Sequence, residues 1–503
     1  MRPGSSISGS SIRDLSIAGS PRPDSFMCRC LALGLAITAA GCSGTQGSAD
    51  GGADGGPADL VTTPDLQPAP APIVTTVTPA FGPTTSETSL VIMGMNFVSG
   101  ASVTVGGQAA TAVVVGSSTK LLAVAQPRPG KPGAADVVVT NPDGKTGALA
   151  GGFTYQLSSL SFALPYGVPT GGIGSAVAAI VDLDGDQKPD VVVVNAFAPS
   201  LSVLMGMGGG KFAAPLVIPG KQSVAIAVGD ANGDGAPDVV TADYAADEDG
   251  VYLNSGGMLG ARTGVAFPAM SKPSSVALGD LDGDGKLDLV TALRAGPAVA
   301  TSLGLGGGTF APPVMKPITG MYPAAIAIGR FDPDTHLDAV TGFATGMNAS
   351  LLHGSGDGKF SSESMLAIDP APTGFAIGDL NADGKSDLAA VALGGSAVKL
   401  LLGSPGGLSA QPAIPVGTGP AWIVIADLNL DGKLDLVTAN AGSSEVAVLV
   451  GRGDGTFVVA AKPPGPSNLR WVGVADVDGD GLPDVLAVST DSKDLQVFRN
   501  QIK

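Results

Sequence analysis

The chain of 503 residues is poor in the groups that most often carry chemistry. It has 3 cysteines, 2 histidines and 2 tryptophans, and aromatic residues make up 4% of it. The cysteines are Cys28, Cys30 and Cys42, all within the first 42 residues. Everything after that point folds without thiol or disulfide and is held by packing or by bound ions. Cations are scarce as well: 27 Lys and Arg stand against 44 Asp and Glu, a net charge of −17. A phosphate-binding surface needs the opposite balance, so nucleic acid is excluded as a partner. Apart from residues 31–41, LALGLAITAAG, no stretch reads as an apolar segment of membrane type, and that one is too short for a permanent bilayer span.

What is present in quantity is glycine (75), proline (39) and small aliphatic side chains, with 44% of the chain hydrophobic. This profile suits many short strands joined by tight turns, an all-β chain.

The front of the chain reads as an address. Residues 31–41 have the length of a signal-peptide apolar region, with Arg29 just upstream, and end in Ala39-Ala40-Gly41-Cys42. That ending resembles the bacterial lipoprotein processing box, with Ala39 where Leu is usual. The resemblance implies that residues 1–42 contain a signal peptide and that Cys42 becomes the lipidated first residue, a membrane anchor. An ordinary secretory signal with Cys42 incidental is the alternative. Met27 is an alternative start, because the 26 residues before it are polar. Ser43 after the cysteine points, by analogy with sorting rules, to an outer-membrane or cell-surface lipoprotein. Residues 43–71 are Gly, Ala, Asp and Pro with little to bury, a tether.

Residues 72–156 carry strand-like runs punctuated by Gly and Pro, such as 90–93 (LVIM), 102–105 (SVTV) and 136–140 (DVVVT). Val77-Thr78-Pro79, Gly82-Pro83, Gly94-x-Asn96-Phe97, Val105-Gly106-Gly107, Asn141-Pro142-Asp143-Gly144 and Gly152-Phe153-Thr154-Tyr155 follow in order. This series resembles the IPT/TIG family of immunoglobulin-like domains, which implies a spacer or interaction module.

Between residues 182 and 484 one motif, D-x-[D/N]-x-D-x-x-x-D, recurs seven times, at steps of 48, 50, 50, 49, 48 and 49 residues. A period that steady means one supersecondary unit repeated. The motif uses 24 of the 44 acidic residues, a density that calls for cations. Calcium takes six to eight oxygens at roughly 2.3–2.6 Å. Positions 1, 3, 5 and 9 of each loop supply carboxylate or amide oxygens, position 7 a carbonyl, and Gly at position 6 permits the turn. The sets are Asp182, Asp184, Asp186 and Asp190; Asp230, Asn232, Asp234 and Asp238; Asp280, Asp282, Asp284 and Asp288; Asp379, Asn381, Asp383 and Asp387; Asp427, Asn429, Asp431 and Asp435; and Asp476, Asp478, Asp480 and Asp484. A helical EF-hand is excluded, because position 12 is never Glu and the flanks read as strands. The fourth copy is broken: Arg330, Pro333 and Thr335 take positions 1, 4 and 6, leaving Asp332, Asp334 and Asp338. The expectation is that the Arg330 guanidinium neutralises these carboxylates in place of an ion. About six structural calcium ions are therefore expected.

Four strands per unit, seven times, describe a β-propeller over residues 157–503. The unit resembles the FG-GAP/VCBS repeats of integrin α-subunit heads and secreted bacterial proteins. The carriers are the acidic loop and a Gly-x-Gly-x-Phe turn, as at 306–310 and 356–360. The last unit lacks that turn and a fourth strand, so residues about 160–166 are expected to complete it and close the ring.

The resemblance places ligands on the face opposite the acidic loops. The aromatic candidates there are Tyr166, Tyr244, Tyr322, Trp422 and Trp471, with Phe197 and Phe343 beside them. They suit a polysaccharide or a protein partner. The Arg452-Gly453-Asp454 tripeptide is the repeat's own turn with Arg in front. His336 and His353 have no catalytic partner at a recognisable spacing. The expected function is a lipid-anchored, monomeric binding or adhesion protein without enzymatic activity. A carbohydrate-active lyase or hydrolase and a structural envelope component stay open as alternatives.

Overall fold

A computed structural model describes residues 70–502, apart from 85–86, 129–130, 132, 157–159, 346–347 and 369–371. The signal-like segment, the tether to residue 69 and Cys42 lie outside the described residues. Among those described there is no helix.

The first unit is a two-sheet sandwich. Ile73–Thr78, Thr88–Met95, Lys120–Ala125 and Thr111–Ser117 form one sheet. Phe81–Pro83, Thr146–Gln156, Gly133–Thr140, Ser102–Val105 and Gln108–Ala109 form the other. Alternation sets the inner face: in Lys120–Ala125 every second residue is buried, ending in Leu121, Ala123 and Ala125. Phe153 and Tyr155 meet edge to face in this core, centroids 4.9 Å apart.

Among the remaining strands, seven sheets of four or five strands are arranged as blades, with short two-stranded ribbons beside four of them. In each, a loop of the acidic motif joins the first strand to the second. The third blade is representative: Pro273–Gly279, Asp288–Leu293, Ala298–Ser302 and Val314–Pro317, all antiparallel. In the fifth blade the outer strand is split into Gly407–Ala410 and Ile414–Pro415. The first strand of every blade packs against that of the next, and Ser175–Val181 of the first packs against Leu469–Ala475 of the last, so the ring is closed.

Burial explains the composition. Second strands are covered on both faces and read as apolar runs: all six residues of Asp190–Asn195, DVVVVN, are buried. Outer strands such as Leu216–Pro219 are mostly exposed. The core is a series of aliphatic clusters between neighbouring blades, so each sheet depends on two others.

The ring closes as expected in principle but in a shifted register. Tyr166–Pro169, not 160–166, is the fourth strand of the last blade, pairing with Asp494–Phe498. Leu160–Phe162 pairs instead with Asn500–Ile502. That short ribbon is the counterpart of Gly206–Gly208 with Lys211–Phe212 in the first blade. The closure thus uses two pairings, and each removes an open edge.

The sandwich meets the ring at the sixth acidic loop. The Lys433 ammonium lies 5.8 Å from the centroid of the Phe81 ring, within cation–π range.

Ending the chain at Lys493 would remove Leu495, Val497 and Phe498, all fully buried. At roughly 1.5–3 kcal/mol for each buried side chain, several kcal/mol of stability should go, together with both closing pairings. Thermal unfolding of that variant is expected to show a strongly lowered Tm. An unchanged Tm would contradict the closure.

Candidate metal centres

The acidic loops are built from the backbone outward. In the third loop the Asp280 carboxylate sits at the centre. Its Oδ1 accepts the N–H of Gly283 (2.7 Å) and of Asp284 (3.1 Å), and its Oδ2 accepts that of Gly285 (3.0 Å). Three N–H groups converge on one carboxylate only because positions 4 and 6 are left-handed, with φ +77° at Gly283 and +84° at Gly285. The same pair is left-handed in six loops, with Ala382 and Leu430 at position 4 and Gln187 at position 6 as the non-glycine cases. The sequence reading caught position 6 but missed position 4, although Gly there in four loops was the signal.

Position 9 is the most deeply set. Asp288 Oδ2 accepts the N–H of Leu281 (2.8 Å), and Oδ1 accepts the N–H of Gly304 (2.7 Å) on the far side of the third strand. All seven copies make this pair of bonds, always to the residue seven before and the residue sixteen after. In five blades the second partner is glycine, because a Cβ would collide with backbone. At Gly304 it would stand 2.4 Å from the Leu287 carbonyl oxygen. Burial pushes all seven position-9 carboxyls up, against the lowering effect of the two N–H donors. Asp435 and Asp484 reach about 7.

The loops also tie blade to blade. Gly210 N–H of the first blade donates to the Val477 carbonyl of the seventh loop (2.9 Å), and Gly455 of the sixth blade to Leu380 of the fifth (3.2 Å). Where the third strand ends in Asn, its amide takes over. Asn254 Nδ2 reaches the Leu183 carbonyl at 2.7 Å and Asn500 Nδ2 reaches Leu428 at 2.9 Å. A cation that stiffens one loop therefore stiffens the junction to its neighbour.

The structure brings positions 1, 3 and 9 together. Carboxylate oxygens of Asp182, Asp184 and Asp190 lie within 4.8 Å of one another, as do those of Asp280, Asp282 and Asp288 and of Asp476, Asp478 and Asp484. Such groups can hold a cation. Position 5 is outside them, contrary to the expectation that it faces inward. Asp186, Asp284 and Asp383 accept instead from the lysine two residues on, Lys188, Lys286 and Lys385. Those lysines hold the Asp186, Asp284 and Asp383 carboxyls below the usual range.

The fourth loop corrects a second expectation. Arg330 pairs with none of Asp332, Asp334 and Asp338. Its Nε donates to the Thr335 carbonyl at 2.9 Å. The position 1 to position 6 link survives with its polarity reversed: elsewhere a carboxylate accepts an N–H, and here a guanidinium donates to a C=O. Neither Pro333 nor Thr335 is left-handed, because no N–H has to turn inward. The partner of Asp332 is His353, whose Nδ1 stands 3.0 Å from Asp332 Oδ2, while His336 lies 3.3 Å from Asp334.

The aromatic candidates are scattered. Trp422 and Trp471 are 2% and 4% exposed, so they offer no stacking platform on the surface. Both occupy the third place of an inner strand, where other blades have Val177, Ala225, Ser275 and Ala325. They line an aliphatic cavity of about 430 Å³ in the channel. Tyr166 sits on the acidic side, its hydroxyl donating to the Gly210 carbonyl. Phe343 is buried. Tyr244 and Tyr322 are on the opposite side, the first half-buried beside Lys272 and the second exposed. The channel cavity is lined by Ala, Val, Ile, Leu, Gly and Trp, without an acid, base or nucleophile. Asp249 is fully buried, its carboxylate accepting from the Thr291 hydroxyl at 2.5 Å, and burial pushes its carboxyl up.

Comparison with known proteins agrees with this architecture. Residues 72–155 match the IPT/TIG domain, and residues 182–241, 230–291, 379–438 and 427–487 match the FG-GAP-like repeat. The chain therefore carries an IPT/TIG domain followed by FG-GAP-like repeats. No curated protein matches it. Among solved structures, BBS1N in complex with ARL6DN is similar at 14% identity, over 69% of this chain and 98% of that one, with a TM-score of 0.50. An auxiliary nutrient binding protein from Bacteroides ovatus is similar at 14% identity over 86% and 98%, TM-score 0.40. The RRP9 WD40 repeats are similar at 10% over 68% and 100%, TM-score 0.46. At these identities the likeness concerns the fold alone.

Gln187 is exposed and holds φ +65° where five loops have glycine. Gln187→Gly should stabilise the protein by about 1 kcal/mol. Thr335→Gly, at a position that is not left-handed, should destabilise it by about 0.5–1 kcal/mol. Denaturant midpoints of the two variants should move in opposite directions.

Proposed function

We propose that the protein is an exported, lipid-anchored binding protein, stiffened by calcium, whose face opposite the acidic loops receives a protein partner. Export and anchoring rest on residues 31–42 alone. The observation that carries the binding role is the unevenness of that face. Phe197, Met270 and Tyr322 are 61%, 71% and 47% exposed, and Ile173 and Met321 are exposed with them. These residues lie in turns between second and third strands or in segments leading into first strands. The repeat there has no consensus. Exposed Met and aromatic side chains are typical of protein-binding surfaces. With both tryptophans buried, a polysaccharide loses its best stacking platform, and the cavity without titratable groups argues against catalysis.

Calcium fits the donor sets of loops one, two, three, five, six and seven. All are hard oxygens, and in loops one, three and seven three carboxylates already face one another. When bound, the ion supplies charge neutralisation and a rigid loop. The residues themselves do the linking, through the position-1 and position-9 hydrogen bonds.

Chelation is expected to lower the Tm markedly, since free calcium at a hundred times Kd contributes about 2.7 kcal/mol for each site. The effect should depend on pH. In the metal-free protein, Asp435 and Asp484 titrate near 7, above the ordinary carboxyl value. Their contribution to metal-free stability is therefore largest at acid pH and is lost as pH rises towards 7. Calcium needs both ionised, so the Tm gain on adding calcium should be larger at about pH 8 than at about pH 5.5. A gain independent of pH would contradict the assignment of these carboxylates.

Partner binding is testable with the double variant Phe197→Ser/Tyr322→Ser, both positions exposed. Capture from an envelope extract and a glycan array should be run side by side in calcium. Loss of one specific protein partner with unchanged Tm is the expected result. Binding retained by the variant, or binding seen only on glycans, would refute the protein-partner reading.

A further inference from the structure

The chain has two histidines in 503 residues, and both lie at the one loop that has lost its position-1 aspartate. His336 occupies position 7 of that loop, and His353 ends the third strand beside it. The equivalents of His353 in the other blades are Met205, Leu253, Leu303, Leu402, Val450 and Arg499, fifteen residues after the position-9 aspartate. The imidazole is thus a departure from a slot that five of the six other blades fill with an apolar side chain. It is also aimed. Its Nδ1 faces Asp332 Oδ2 at 3.0 Å, and its Nε2 is held by Ser364 Oγ at 2.6 Å. One ligand atom each from Asp332, Asp338 and His353 lies within 4.8 Å of the others. Asp338 gives one lone pair of each oxygen to the N–H groups of Phe331 (2.9 Å) and Gly354 (2.8 Å) and keeps a second on each.

We propose that the fourth loop is a separate metal centre, binding a transition-metal dication such as Zn2+ through Asp332, Asp338 and His353.

The changes in this loop all point one way. Calcium wants many oxygens and binds imidazole poorly, whereas imidazole with carboxylate suits Zn2+, Co2+ and Ni2+. Arg330 removes a carboxylate whose oxygens a calcium site would use, and its guanidinium is turned to the Thr335 carbonyl. Pro333 and Thr335 abolish the left-handed positions that fold a calcium-type loop around its first carboxylate. His353 supplies nitrogen in exchange, oriented from behind by Ser364 in the manner of an outer-shell partner of a zinc ligand. Two carboxylates and one neutral imidazole balance a dication and leave room for water as a fourth ligand. The competing arrangement is a plain ion pair of protonated His353 with Asp332 and no metal.

The test uses the full chain without a histidine tag, stripped of metal and kept in millimolar calcium so that the other loops stay filled. Co2+ is added as a spectroscopic probe, its ligand-field absorption is followed, and Zn2+ is used as competitor. The expected result is a single equivalent of Co2+ that excess calcium does not displace and Zn2+ does. His353→Leu should abolish it with an unchanged Tm in calcium, since Leu303 and Leu402 fill the same slot. Ser364→Ala should weaken it about tenfold. His336→Lys, which restores the lysine that other loops carry at position 7, should leave it intact. No Co2+ uptake in excess calcium, uptake unchanged in His353→Leu, or uptake lost in His336→Lys would each overturn the proposal.

Discussion

The ring depends on one buried carboxylate used seven times. Each position-9 aspartate accepts an N–H from its own loop and another from the end of the third strand. It fixes where the first hairpin ends and where the third strand stops. The cost is a desolvated anion, which shows as the raised carboxyls of Asp435 and Asp484. A cation held at the same loop would offset that cost, and the cross-blade bond from the next unit would pass on the resulting rigidity. The capacity of the repeat to hold a cation and its architecture thus rest on the same side chain.

Much of this was legible in the sequence. The period of 48–50 residues, the acidic spacing and the missing fourth strand of the last unit led to blades, loops and closure. What was not legible has a common cause: the partner was backbone. The donor to Asp288 sixteen residues away is an N–H, which every residue but proline has. Only the preference for Gly or Asn at that place betrays it. The lysine at position 7 was visible in four loops, but its claim on the position-5 aspartate depended on side-chain reach that spacing alone does not give.

Arg330 and the tryptophans failed for different reasons. Counting charges put the guanidinium among three carboxylates, yet its Nε has a carbonyl at 2.9 Å within its own turn. A local hydrogen bond at no cost in loop geometry wins over a longer-range attraction that solvent screens. Trp422 and Trp471 were read as surface residues because they begin strands at a face. The register shows them in the third place of the inner strand, where four other blades bury a small residue. Their extra volume goes into the channel. Gly473, two residues after Trp471, leaves room for the ring, since a Cβ there would stand 2.3 Å from it.

A repeat frees its deviations to be read as signals. Where six blades agree on an aliphatic or cationic side chain at the end of the third strand, an imidazole held between a serine and an aspartate has no packing reason to be there. Where turns on the opposite face vary from blade to blade, exposed Phe197, Met270 and Tyr322 are departures of a second kind. Both departures fall in the first four blades, while the sandwich touches the sixth loop through Lys433 and Phe81. The ring is therefore regular in what holds it together and irregular in what it presents. In a fold whose stability is set by repetition, function belongs to the residues that break the pattern without loosening it.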